Sequence, residues 1–192
     1  MKKVGVLSLQ GDFAAHGAAL ERAGAEPVYV KEREQLSGID GLILPGGEST
    51  TMLKLMNYEG LFEPIAEFGR AKPMFGTCAG AILMAREVTH PAQESFGLMD
   101  FGIERNAYGR QIDSRIVPLD PSPEFQERTA PGALEAVFIR APIIRHVDSS
   151  VKVLAEYDGD PVLIEQGRHL VATFHPELTT DPRVHRLFLE KL

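Results

Sequence analysis

Short continuous apolar runs alternate with longer stretches of helical spacing in the first half of this chain. Residues 4–9 (Val-Gly-Val-Leu-Ser-Leu) read as a buried strand. Phe13, Ala14, Gly17, Ala18 and Leu20 then fall at helical spacing over residues 13–23, and Gly24 ends that helix. Residues 27–30 and 41–44 predict two more short strands. Pro45-Gly46-Gly47 closes the second of these, and Glu48-Ser49-Thr50-Thr51 opens a helix through Met56, with Ser and Thr suited to its cap. A helical piece over 61–68 leads to the strand Pro73-Met74-Phe75, and helix-like 81–85 follows shortly after. Such alternation predicts an α/β fold: a mostly parallel central sheet with helices on both faces. From about residue 100 the texture is β-rich, with strands at 101–104, 115–119, 136–139, 143–146 and 151–157. Asp158-Gly159-Asp160 signals a hairpin into 162–165, residues 169–174 form another buried strand, and a last helix runs from Asp181 with Val184, Leu187, Phe188 and Leu189 apolar. No repeat, linker or low-complexity tract appears, so residues 1–192 are expected to form one domain.

Composition narrows the function classes. Length 192, 44% apolar and 24% charged residues are ordinary for one globular core. A formal net charge of −7 offers no basis for holding a phosphate backbone, which argues against nucleic acid as a partner. One cysteine cannot form an internal disulfide. The apolar stretch after Met1-Lys2-Lys3 is too short for a signal sequence, and no run approaches the roughly 20 apolar residues of a membrane span. A soluble, cytoplasmic protein with no membrane partner is expected.

The cysteine carries the candidate chemistry. Cys78 lies in Gly76-Thr77-Cys78-Ala79-Gly80 between strand-like and helix-like segments, the pattern of a nucleophile elbow. Glycines two positions to either side permit close backbone approach, and the helix N-terminus favours thiolate. A buried structural cysteine in a Gly-rich turn fits the pentapeptide equally well. A nucleophile also needs a base and a group to orient it, and His175 and Glu177, in Thr-Phe-His-Pro-Glu after an apolar run, supply both. Ligands of open parallel sheets gather at strand carboxyl ends, where Pro45-Gly46-Gly47-Glu48, the Cys78 turn and His175-Pro176-Glu177 all fall. Backbone N–H groups from the Gly46-Gly47 pair and from Ala79 could receive an oxyanion. The Gly-Gly turn has neither the spacing nor the lysine of a phosphate loop. His16, His90, His146, His169 and His185 show no metal-ligand spacing and read as structural or surface groups, so neither a metal nor a cofactor is expected.

Gly-Thr-Cys-Ala-Gly with a distant His-Pro-Glu resembles the class I (triad) glutamine amidotransferases. Longer strings are similar to one branch of that family, the glutaminases that supply ammonia for pyridoxal 5′-phosphate (vitamin B6) synthesis. These are Leu9-Gln10-Gly11, residues 45–51, Gly97-Leu98-Met99-Asp100, residues 104–111, residues 138–142, and 173–179 with Arg183-Val184-His185. Ala15 and Ser8 depart from that branch, where Glu and Ala are usual, which bears on docking. The resemblance implies a flavodoxin-like amidotransferase fold, with Cys78 attacking the amide of L-glutamine, His175 relaying protons and Glu177 orienting His175. It also implies that Gly46, Gly47, Glu48, Arg105, Ile139 and Arg140 bind glutamine or shape its pocket. The implied partner is a separate synthase subunit, a (β/α)8 barrel in a large hetero-oligomer, which receives the ammonia and activates the glutaminase; Gln10 is the candidate residue for sensing it. A cysteine hydrolase of related fold and a non-catalytic binding subunit are the competing readings.

Overall fold

In the computed structural model, which describes residues 1–106 and 114–192, β1 (Lys3–Leu7) leads into α1 (Phe13–Ala23), ended by Gly24 at φ 92°. Then follow β2 (Glu26–Val30), β3 (Gly41–Leu44), α2 (Ser49–Tyr58), α3 (Phe62–Ala71), β4 (Met74–Thr77) and α4 (Ala79–Met84). The second half comprises β5 (Ala85–Thr89), β6 (Met99–Glu104), β7 (Ser114–Leu119), α5 (Pro123–Arg128), β8 (Leu134–Ile139), β9 (Ile143–Val147), β10 (Lys152–Tyr157), β11 (Asp160–Gln166), β12 (His169–Ala172) and α6 (Arg183–Leu189). Seven strands form the central sheet in the order β10-β11-β12-β4-β3-β1-β2, parallel from β12 to β2 and antiparallel at β10 and β11. Two small sheets, β5-β6-β9 and β7-β8, come from the β-rich half.

Alternation along the buried strands sends side chains to two cores. Leu42, Leu44, Met74, Ile164 and Val171 face one core, which α2, α3 and α4 cover with Met52, Ile65 and Leu83. Ile43, Phe75, Leu163 and Leu170 face the other, covered by Leu20 of α1 and by Val184, Leu187 and Phe188 of α6. Helices thus lie on both faces, as the pattern predicts. No helix among the described residues is long and apolar enough to cross a membrane.

Several local expectations are corrected. Glu48, rather than Ser or Thr, caps α2: its carboxylate accepts from Thr50 N–H (3.1 Å), Thr51 N–H (2.6 Å) and the Thr51 hydroxyl (2.6 Å), while Ser49 Oγ donates to Gln93. The helix after Cys78 begins at Ala79, and Ala85 already turns extended to start β5, a strand that the apolar run 81–85 concealed. Helix α5 escaped the hydrophobic pattern because only Phe125 is buried in it, although Ser122 before Pro123 is a legible cap. The last helix starts at Arg183, whose N–H is received by Asp181. Residues 107–111 of the family-like string lie outside the described residues.

Register places the candidate loops side by side. Leu44 pairs with Gly76 across β3-β4, Ala172 pairs with Thr77 across β4-β12, and the Cys78 N–H continues that ladder to the Ala172 carbonyl at 3.0 Å. The two glycines around Cys78 serve close packing: a methyl group on Gly76 would strike the Gly80 carbonyl, and one on Gly80 would strike the Leu44 carbonyl. Gly80→Ala is therefore expected to cost about 1–3 kcal/mol or more, whereas Gly38→Ala, with open space around it, should stay within about 0.5 kcal/mol. Denaturant unfolding of the two variants beside the parent checks this, and equal stabilities would contradict the packing account.

Candidate active site

Cys78 follows β4 with φ 50° and ψ −104°, a backbone conformation that disfavours a side chain and marks stored strain. The turn is held by the ladder bond to Ala172 on one side and by the Ile82 N–H, which donates to the Cys78 carbonyl at 3.3 Å, on the other. Its thiol sits at the N-terminal end of α4, 3.9 Å from the Ile139 carbonyl. Ala79 occupies the first helical position, where an N–H has no intrahelical acceptor.

His175 lies three residues past β12, with its backbone N–H donating to Val137 O of β8 at 2.8 Å. Its Nδ1 is 2.6 Å from Glu177 Oε1, and both side chains are almost fully buried. Glu177 belongs to a 3-10 turn, Pro176–Leu178, where the sequence predicts only a loop; Pro176 at its start bends the chain so that His175 and Glu177 can face each other. The other face of the imidazole meets Cys78. A methyl group on Gly46 would lie 2.5 Å from His175 Cε1 and 3.5 Å from Cys78 Cβ, so only glycine lets β3, the sulfur and the ring converge. Burial lowers the His175 pKa, but hydrogen bonding to Cys78 and then to Glu177 outweighs it and raises the value to about 10. Asp12 Oδ2 stands 3.8 Å from the same Nδ1, an additional carboxylate that no motif in the sequence marks.

In front of Cys78 opens a cleft of about 270 Å3 walled by Gly47, Glu48, Ala79, Ile82, Arg105 and Arg140, among others. That volume suits one small metabolite rather than a drug-sized ligand of roughly 300–1,000 Å3. Arg105 Nη2 donates to Thr50 Oγ1 at 2.7 Å and lies 3.7 Å from Glu48 Oε1. Hydrogen bonds from Thr51 and Thr50 overcome the desolvation penalty and hold the Glu48 carboxyl at about 2, so it stays ionised. Arg140 reaches the wall from a backbone at φ 44°. Gly46 and Ile139 stand just behind the wall, the first against His175 and the second through its carbonyl. Of the expected site residues, all nine therefore gather around one sulfur.

Adjacent loops hold the Gly46-Gly47 turn. The Asp12 N–H donates to the Gly46 carbonyl at 3.0 Å, so the Gly47 N–H of that planar peptide points away from Asp12. Gln10 Oε1 accepts from the Glu48 N–H at 3.0 Å. Ser8 is buried and its hydroxyl donates to Val30 O, which places that departure in the interior, not on a docking face.

The SNO glutamine amidotransferase family model matches residues 6–192. The chain belongs to this family. It is 77% identical over 192 residues, all of both chains, to the pyridoxal 5′-phosphate synthase subunit PdxT of Solibacter usitatus (strain Ellin6076). Its identity to the protein of that name from Koribacter versatilis (strain Ellin345) is 54% over 189 residues, 98% of this chain and 94% of the relative. Among solved structures, a crystal structure of a glutamine amidotransferase superposes with TM-score 0.88 at 45% identity, covering 98% of this chain and 97% of the other. The fold is thus that of a glutamine amidotransferase.

Three more histidines, expected to be structural or surface groups, are buried. His169 accepts the Met74 N–H and is lowered to about 4 by burial and Arg168. His185 is lowered to about 3 by burial and Arg22, and His16 well below 6.5 by burial, His185 and His175. All three are neutral when folded but take up protons near pH 6.5 when unfolded. Their stabilisation is complete above that pH and is lost as pH falls, at up to about 1.4 kcal/mol per group per pH unit, roughly 4 together. His175 behaves oppositely: its stabilisation is complete below about 6.5 and is lost as pH climbs through about 10. Unfolding free energy is expected to peak near pH 6.5–7, and His175→Gln should flatten the alkaline limb. Chemical denaturation across the two windows tests this; a flat profile would contradict the assigned protonation states.

Proposed function

We propose that residues 1–192 act as one glutaminase unit that hydrolyses L-glutamine to L-glutamate and ammonia through a Cys78 thioester. The observation that carries this reading is the joining of Cys78, His175 and Glu177 beside a small cleft with two arginines on its wall. With Nδ1 committed to Glu177, the Nε2 of His175 faces the sulfur and, driven toward its charged form, holds the proton that the thiol gives up. The sulfur then attacks the side-chain amide carbon, and negative charge develops on the amide oxygen. The Ala79 N–H, at the first position of α4, is a preorganised donor for it. The imidazolium, with its pKa near 10, returns the proton to the amide nitrogen as the C–N bond breaks and ammonia leaves. Water, deprotonated by the same ring, hydrolyses the thioester to glutamate and regenerates the thiol. Arg105 and Arg140 supply cationic partners for the α-carboxylate, and Glu48, ionised at neutral pH, an acceptor for the α-ammonium.

The ammonia is destined for a separate synthase subunit making pyridoxal 5′-phosphate, a (β/α)8 barrel in a large hetero-oligomer, in the cytoplasm. The curated relatives that match end to end bear the name of a subunit of that synthase, which supports this assignment. Docking is expected to act through the loop that carries Gln10 and Asp12, because that loop holds the Gly46-Gly47-Glu48 turn by two hydrogen bonds.

Glutamate release measured with and without the synthase subunit tests the reading. Release should rise on adding it, Cys78→Ala should abolish release with the fold intact, and Arg105→Gln should raise KM more than it lowers kcat. Release that never appears in either condition would leave a binding subunit, and full activity of Cys78→Ala would reject the nucleophile.

A further inference from the structure

On the side of Glu177 away from His175 lie two imidazoles that the mechanism does not use. His16 of α1 and His185 of α6 are fully buried. His16 Nδ1 is 3.0 Å from His185 Nε2, and His16 Nε2 is 2.9 Å from Thr77 Oγ1 and 3.5 Å from Glu177 Oε2. Glu177 Oε1 is occupied by His175, whereas the buried Oε2 makes no hydrogen bond within normal distance, and neither does His185 Nδ1. Phe75 packs edge-on against both rings, with centroids 6.3 and 5.8 Å away.

Proton positions follow from these two unpartnered atoms. If His16 donated from Nδ1, His185 would carry its own proton on Nδ1 as an orphaned buried N–H, and His16 would turn a bare lone pair toward a carboxylate. Buried N–H groups without acceptors are rarer than under-satisfied acceptors, so the opposite arrangement holds. His185 Nε2–H donates to His16 Nδ1, and His16 Nε2–H faces the Thr77 hydroxyl and Glu177 Oε2. We propose that His16, in the tautomer set by His185, is a positioning residue for Glu177, turning its Nε2–H dipole toward one carboxylate oxygen so that the other is aimed at His175. The inference rests on reading Cys78, His175 and Glu177 as the catalytic group.

A neutral donor is the right instrument here. A cation against Oε2 would compete with the His175 imidazolium for the same negative charge, whereas an N–H dipole fixes direction and leaves that charge available. Burial and the neighbouring His185 and His175 keep His16 uncharged. The other titratable groups nearby are Asp12, against His175, and Arg22, which acts on His185 and donates to the Thr179 carbonyl at 3.2 Å. Without the His16 donor the carboxylate loses direction, its hydrogen bond to His175 no longer helps to raise that imidazole, and the alkaline limb of the activity profile moves down.

The test compares His16→Leu, His16→Gln and His185→Leu with the parent. Glutamine hydrolysis is measured in the complex with the synthase subunit, and the rate of Cys78 alkylation by iodoacetamide is measured on the chain alone, both across pH. For His16→Leu, kcat should fall about 10- to 100-fold, the range seen when a supporting partner behind a functional side chain is removed, with KM little changed and the alkaline limb lowered. His16→Gln, which restores an N–H, should recover most of the loss, and His185→Leu should fall between. Equal losses in His16→Leu and His16→Gln, or parental pH profiles in both, would overturn the proposal. If His16→Leu does not fold, His16→Gln and His185→Leu decide by the same readouts: a parental profile in His185→Leu refutes the tautomer relay. A parent that releases no glutamate with the synthase present defeats the catalytic reading itself, and this inference with it.

Discussion

The Cys78 N–H bond to the Ala172 carbonyl is the contact on which the site depends. It carries the β4-β12 ladder one residue past the strand, so the chain must turn immediately with Cys78 already at a positive φ. The strain is tolerated because neighbours leave no alternative: Gly80 lies on the Leu44 carbonyl, Gly76 on Gly80, and Gly46 on the His175 ring. Every approach is backbone against backbone or backbone against ring, the kind of packing that transmits a small displacement without damping it. The sulfur is thereby fixed relative to two loops from strands on either side.

Electrostatics follow from this geometry. The chain as a whole is acidic, yet Arg105 and Arg140 both line the cleft, with the ionised Glu48 beside Arg105. Behind the sulfur the sign logic reverses. There the imidazole that touches a carboxylate and a thiol is driven toward its charged form, and the imidazoles that touch each other are driven toward neutrality. Burial and the neighbouring groups thus divide imidazoles of one protein between a charged and a neutral form.

Much of this was legible in the order of residues. The βα alternation, the Gly-flanked cysteine, the His-Pro-Glu after an apolar strand and the Pro-Gly-Gly turn each announce themselves locally, and strand carboxyl ends are where such loops gather. Elements that hide do so for physical reasons. Strand β5 begins where an apolar run passes from helix to strand without a polar break, and α5 buries too little to show a period. The cap of α2 hides among the usual short hydroxyls because nothing local reveals that the longer Glu48 side chain folds back onto two N–H groups.

By itself the sequence determined the fold class, the candidate reacting side chains and the family, since these rest on periodicity, turn chemistry and long matched strings. Only the tertiary structure decided what surrounds Glu177. His16 and His185 are 169 positions apart along the chain, and their pairing behind the carboxylate comes from α1 and α6 covering the same face of the sheet. A lone histidine on a helix carries no mark of burial, tautomer or charge, because all three are properties of the groups that folding brings against it.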